Sequence, residues 1–130
     1  MKYTERVGEL LPNILGKIFR ELGFEVWVNP QQVNGVDLKV CRESNPVIVA
    51  EVLNWSIRSR LTLRRRDCII ENLNRFVCKK LLVHTIQLSG LDTLRENGID
   101  LLCVGYQVLP QDFYDFYLNK EQIIRRFWII

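Results

Sequence analysis

Val47-Ile48-Val49-Ala50-Glu51-Val52-Leu53 is the stretch on which the fold turns. It is apolar but for one residue and rich in β-branched side chains, so it reads as a central strand covered on both faces. The interruption is Glu51. An unpaired carboxylate in such a place costs several kcal/mol, so a strand that keeps one gives it a cation or hydrogen bonds.

Upstream, Val36-Asp37-Leu38-Lys39-Val40-Cys41 alternates with period two. Val36, Leu38 and Val40 share one face, and Asp37, Lys39 and Cys41 the other. Asn34-Gly35 turns the chain before this strand, and Ser44-Asn45-Pro46 turns it after. If Cys41 opposes Val47 across that second turn, Asp37 falls directly opposite Glu51, with Cβ atoms ~5 Å apart. Two carboxylates so placed repel each other, and a hard divalent cation, Mg²⁺ or Mn²⁺, would hold them together. The alternative is that Glu51 reaches water at the sheet rim or pairs with an arginine.

Phe24-Glu25-Val26-Trp27-Val28, ended by Asn29-Pro30, is an earlier strand, and the three together read as an antiparallel meander. A helix precedes them, with Val7, Leu11, Ile14, Leu15, Ile18 and Leu22 on one stripe and Gly23 as its stop. Pro12 either kinks that helix or marks its true start. Downstream, Ile69, Ile70, Leu73, Phe76 and Val77 mark a second helix beginning between Ser59 and Arg64. Leu81–Ile86 is a fourth strand. Ser89 caps a short helix that Gly98 ends, and Ile99–Val104 is a fifth strand. From Gln111 an aromatic tail reads as a closing helix. The order is α-β-β-β-α-β-α-β-α: an α/β domain with a central mixed five-stranded sheet flanked by helices.

The chain has 130 residues, 48% hydrophobic and 25% charged, the length and make-up of one domain covering 1–130. No apolar run approaches the ~20 residues of a membrane span, and the first residues lack a signal peptide's apolar centre, so an intracellular, cytoplasmic protein without membrane contact is expected. Cys41, Cys68, Cys78 and Cys103 form no Cys-x-x-Cys pair and read as reduced, mostly buried small residues. His84, inside an apolar strand, reads as a core or rim histidine. Charge is unevenly spread: residues 1–57 carry net −1, residues 58–80 net +6, and residues 81–130 net −2. Arg58, Arg60, Arg64, Arg65 and Arg66 head the basic segment, which suits a polyanion partner, DNA or RNA, or else a solvated helix face. Extending the helical stripe backwards puts Arg66 on the core-facing side, Arg64 outward and Arg65 at the edge. Trp55 either stacks on a base or packs over the core.

Gly35-Val36-Asp37 opening one strand, Glu51 in the next, the junction Leu22-Gly23-Phe24-Glu25-Val26, and Gly98-Ile99-Asp100-Leu101 together resemble the PD-(D/E)xK nuclease superfamily. The pattern is nearest to archaeal Holliday-junction resolvases and type IV restriction endonuclease domains, over roughly residues 4–105. The resemblance implies a restriction endonuclease-like fold, DNA phosphodiesters as substrate, and Mg²⁺ or Mn²⁺ held by Asp37, Glu51 and the Val52 carbonyl. It also offers Glu9 on the first helix as an assisting acid. Val36 replaces the proline of the signature. The signature lysine falls on Leu53, which can neither donate to a phosphate nor orient a water. Lys39 lies level with Val49, ~13 Å of strand from that position. Arg66 is the catalytic substitute expected from the helix that follows, unless it only neutralises Glu51. Arg58, Arg60, Arg64 and Arg65 would track backbone phosphates. Three functions stay open: a metal-dependent nuclease, a catalytically inactive nucleic-acid-binding domain on the same fold, and a protein-interaction domain dimerising through its aromatic tail.

Overall fold

The computed structural model describes residues 3–28 and 36–127, the side chains of 3–10, 126 and 127 excepted. The turn expected at Asn34-Gly35, the strand stop at Asn29-Pro30 and the Glu9 side chain lie outside the described residues.

Helix α1 (Tyr3–Glu21) runs through Pro12 instead of starting there. Its end is a Schellman closure. Gly23 adopts φ +95°, its N–H donates to the Arg20 carbonyl at 3.0 Å, and the Phe24 N–H donates to the Phe19 carbonyl at 3.2 Å. Only glycine takes that left-handed corner without strain, and the Phe19 and Phe24 rings meet edge-on across it, centroids 6.1 Å apart.

Strands β1 (Glu25–Val28), β2 (Leu38–Arg42) and β3 (Asn45–Leu53) form the antiparallel meander. The β2–β3 turn is Glu43-Ser44, both at positive φ (52° and 67°), one residue earlier than the proline had suggested. A bulge between Val40 and Cys41 makes up the difference: Cys41 faces Pro46, yet Val40 faces Ile48 and Leu38 faces Ala50. The expected register is thereby restored at the far end, and its next step sets Asp37 level with Glu51. Val36 departs from expectation. It lies before β2 begins and packs with Val49 and Leu53, away from Leu38 and Val40.

Strands β4 (Lys79–His84) and β5 (Ile99–Cys103) add in parallel, so the sheet order is β1-β2-β3-β4-β5. Helices α2 (Leu63–Leu73) and α3 (Leu91–Glu96) are the two crossovers. Parallel crossovers share one hand, which puts both on the same face, over Val49, Leu53, Leu82 and Ile99. Helix α1 covers the other face, over Leu38, Val40, Ile48, Ala50, Leu81 and Val83. The result is a mixed open five-stranded sheet between two helical layers.

Three local expectations change. Helix α2 ends at Leu73, so Val77 is fully exposed instead of joining the stripe. Gly90, at φ +78°, occupies the N-cap of α3 that Ser89 was expected to fill. The tail is not one helix but a single 3₁₀ turn (Pro110–Asp112), α4 (Phe113–Leu118) and α5 (Lys120–Phe127), broken at Asn119. Phe113, Phe116, Tyr117, Ile123 and Ile124 pack on the α1 side of the sheet, so this part of the tail completes the core. No helix among the described residues is long and apolar enough to cross a membrane.

Candidate metal centre

Asp37 lies on the bend leading into β2 and Glu51 two residues before the end of β3. The register carries them to the same level, and both are buried, 1% and 3% exposed. The Val52 N–H donates to Asp37 Oδ2 at 2.7 Å, a short, charge-assisted bond. Asp37 Oδ1 is buried and accepts from no N–H or hydroxyl group among the described residues. Glu51 Oε1 accepts from Asn72 Nδ2 on α2, at 3.4 Å. The two carboxyls are close enough to share a proton. Burial, then the Asp37 carboxylate, push the Glu51 carboxyl up to about 8. Burial raises Asp37 too, opposed by the Val52 N–H, the hydrogen bond with Glu51 and the charge of Arg65.

Two buried carboxyl groups side by side, one oxygen of which meets no N–H or hydroxyl, either keep a proton or take a cation. Hard oxygen donors at the end of a strand suit Mg²⁺ or Mn²⁺. Within a strand the N–H and C=O of one residue point to the same side. The Val52 carbonyl therefore faces the Asp37 side of β3, where the resemblance puts a third oxygen. Among the described residues no third carboxylate, histidine or cysteine joins the pair.

The basic member differs from expectation. Arg66 turns toward α3, where Nη1 donates to Thr93 Oγ1 at 3.4 Å and Nη2 pairs with Asp67 at 3.4 Å. Among the described ion pairs none joins Arg66 to Glu51. The arginine whose charge bears on both carboxylates is its neighbour, half-buried Arg65. Helical phase explains the exchange. Arg65 lies four residues and Arg66 three residues before buried Ile69, so they flank the stripe on opposite sides. The Thr62 cap, whose Oγ1 accepts from the Arg65 N–H at 3.1 Å, sets that phase.

Leu53, in the signature lysine's place, is 1% exposed among Ile69, Leu73 and Leu82. Lys39 pairs with Val49, away from that position. Arg58, Arg60 and Arg64 are exposed, whereas Arg65 is half-buried. Trp55 packs against the α2-side core. His84 is a core histidine, its Nδ1–H donating to the Ile86 carbonyl at 2.8 Å. All four cysteines are free, but only Cys41 is buried as expected; Cys78 and Cys103 are half-buried and Cys68 is exposed. Sequence reasoning passed over Asn72, which looks like any polar helix residue until α2 lies on β3. It also passed over Thr85 and Asn54, of which Asn54 carried a signal: an amide directly after an apolar strand needs partners.

No family model, curated protein or solved structure matches this chain.

Proposed function

We propose that this chain is a divalent-cation-dependent nuclease-like domain acting on DNA phosphodiesters, its sheet a restriction endonuclease-like one. One observation carries the reading: Asp37 Oδ1, buried and with no N–H or hydroxyl partner among the described residues, lies beside a second buried carboxyl group. Asp37 and Glu51, with the Val52 carbonyl, are the groups that would hold Mg²⁺ or Mn²⁺. A cation bound there supplies Lewis-acid stabilisation of charge on a phosphate. Val52 fixes one Asp37 oxygen through its N–H, leaving the other to bind. The charge of Arg65 bears on the same pair, and its guanidinium suits the clamping of a phosphate oxygen, because it binds such oxygens bidentately and stays charged. Arg58, Arg60 and Arg64 would follow the backbone outside.

A second reading has its own observation. Leu53 removes the signature base and is packed into the core, which favours a domain that binds DNA without cutting it. Manganese titration calorimetry on the wild type, Asp37→Asn and Glu51→Gln, together with plasmid cleavage in Mn²⁺, tests both. Binding and cleavage lost together in the two variants support the nuclease. Salt-dependent DNA binding in EDTA without any cleavage supports the second reading. Equal Mn²⁺ affinity in all three proteins overturns the metal centre.

A further inference from the structure

We infer that Ile57 is an unstacking wedge, held on a basic turn that follows the strand carrying Glu51, and that the preferred partner is a duplex whose stacking is interrupted, as at a nick, mismatch or bulged base. The inference rests on the nucleic-acid reading above and adds the form of the substrate.

Segment 54–62 leaves β3 three residues after Glu51 and enters α2 at Leu63. Its root is clamped. Asn54 donates from Nδ2 to the Val108 carbonyl at 2.8 Å and accepts from the Val108 N–H at 2.9 Å. The Trp55 N–H donates to Thr85 Oγ1 at 2.8 Å, and that hydroxyl donates back to the Trp55 carbonyl at 2.7 Å. The tip is a β-turn, closed by the Ser59 N–H donating to the Ser56 carbonyl at 3.0 Å, with Ile57 and Arg58 at its corners.

Ile57 is 87% exposed there. Turn corners favour Gly, Pro, Asn, Asp or Ser, each for a backbone reason that isoleucine does not supply. Removing such a side chain from water is favourable, and this fold forgoes that gain. The surrounding sequence carries Arg58, Arg60 and Arg64, all exposed, and no acidic residue between 52 and 66. A partner matching this surface is anionic outside and apolar within. Stacked bases behind phosphates fit, because one inserted Ile or Leu suffices to open a base step. An anionic membrane fits less well, because docking there takes a broad apolar face, and to Ile57 this surface adds Leu63 at 69% exposure and no such face.

The test uses the full chain in EDTA, with duplexes carrying 2-aminopurine beside a one-base bulge or in intact sequence. Wild type should raise the 2-aminopurine fluorescence and bind the bulged duplex about tenfold more tightly, since part of the unstacking cost is already met. Ile57→Ser should lose both effects while keeping the salt slope that the arginines set. Binding with an equal fluorescence rise in Ile57→Ser, or with no preference for the bulge, overturns the wedge alone. Absence of DNA binding at low salt overturns the wedge together with the nucleic-acid reading. Co-sedimentation with phosphatidylserine-containing vesicles that Ile57→Ser abolishes, with DNA binding untouched, overturns it in favour of a membrane contact.

Discussion

Replacing Glu51 by glutamine should remove most of the fall in stability between pH 5 and pH 8. Glu51 is 3% exposed, and burial followed by the Asp37 carboxylate raises its carboxyl from 4.5 to about 8. The native state therefore binds this proton more tightly than the unfolded chain does. The resulting stabilisation is complete below about pH 4.5, erodes as the pH rises, and is gone above 8. Each unit is worth about 1.36 kcal/mol, so the window is worth on the order of 4–5 kcal/mol, about 3 of it between pH 5 and pH 8. Asp37 is raised as well and acts in the same sense. The substituted amide keeps an oxygen for Asn72 and removes the titration. Urea unfolding of both proteins across that range, at fixed ionic strength, should show wild type losing about 3 kcal/mol relative to Glu51→Gln. At pH 8, Mn²⁺ at a hundred times its dissociation constant should restore about 2.7 kcal/mol to wild type and nothing to the variant. A difference between the two proteins that does not change with pH would refute the buried carboxyl pair.

The arginines separate next. Arg65→Ala removes the positive charge that lowers both carboxyls, so cleavage should vanish and the variant's pH-dependent loss of stability should reach to higher pH than in wild type. Arg66→Ala loses only its contacts with Thr93 and Asp67, costing no more than about 1.5 kcal/mol in urea melts, with cleavage kept; the opposite pattern would return the role to Arg66. Leu53→Lys puts an ammonium into apolar packing on the face that carries Glu51. It should destabilise by roughly 2–4 kcal/mol at pH 5, where Glu51 is protonated, and less at pH 8, where the carboxylate can pair. Thr85→Val removes the hydroxyl that holds Trp55. A loss of about 1–3 kcal/mol is expected in thermal melts, and the 2-aminopurine signal should fall with the salt slope unchanged.

Element types and their order were legible because periodicity is local. Alternation exposes a strand's two faces, and a three-to-four spacing exposes a helix stripe, whatever lies on the other side. The five strands, the helical crossovers and the odd carboxylate in an apolar strand therefore follow from the residues alone, as does the meeting of Asp37 with Glu51 once a register is assumed. Tertiary structure decided what depends on a neighbour. The Glu43-Ser44 turn and the bulge at Cys41 cancel each other, and no single-strand pattern foretells that cancellation. Val36 leaves its face because β2 starts only at Leu38. Arg65 and Arg66 lie at nearly the same angular distance from the buried stripe, on its two sides, and that distance says how near the core a side chain lies, not which neighbour it meets. That choice belongs to the docking of α2, which lets the charge of Arg65 bear on the carboxyls and turns Arg66 toward α3.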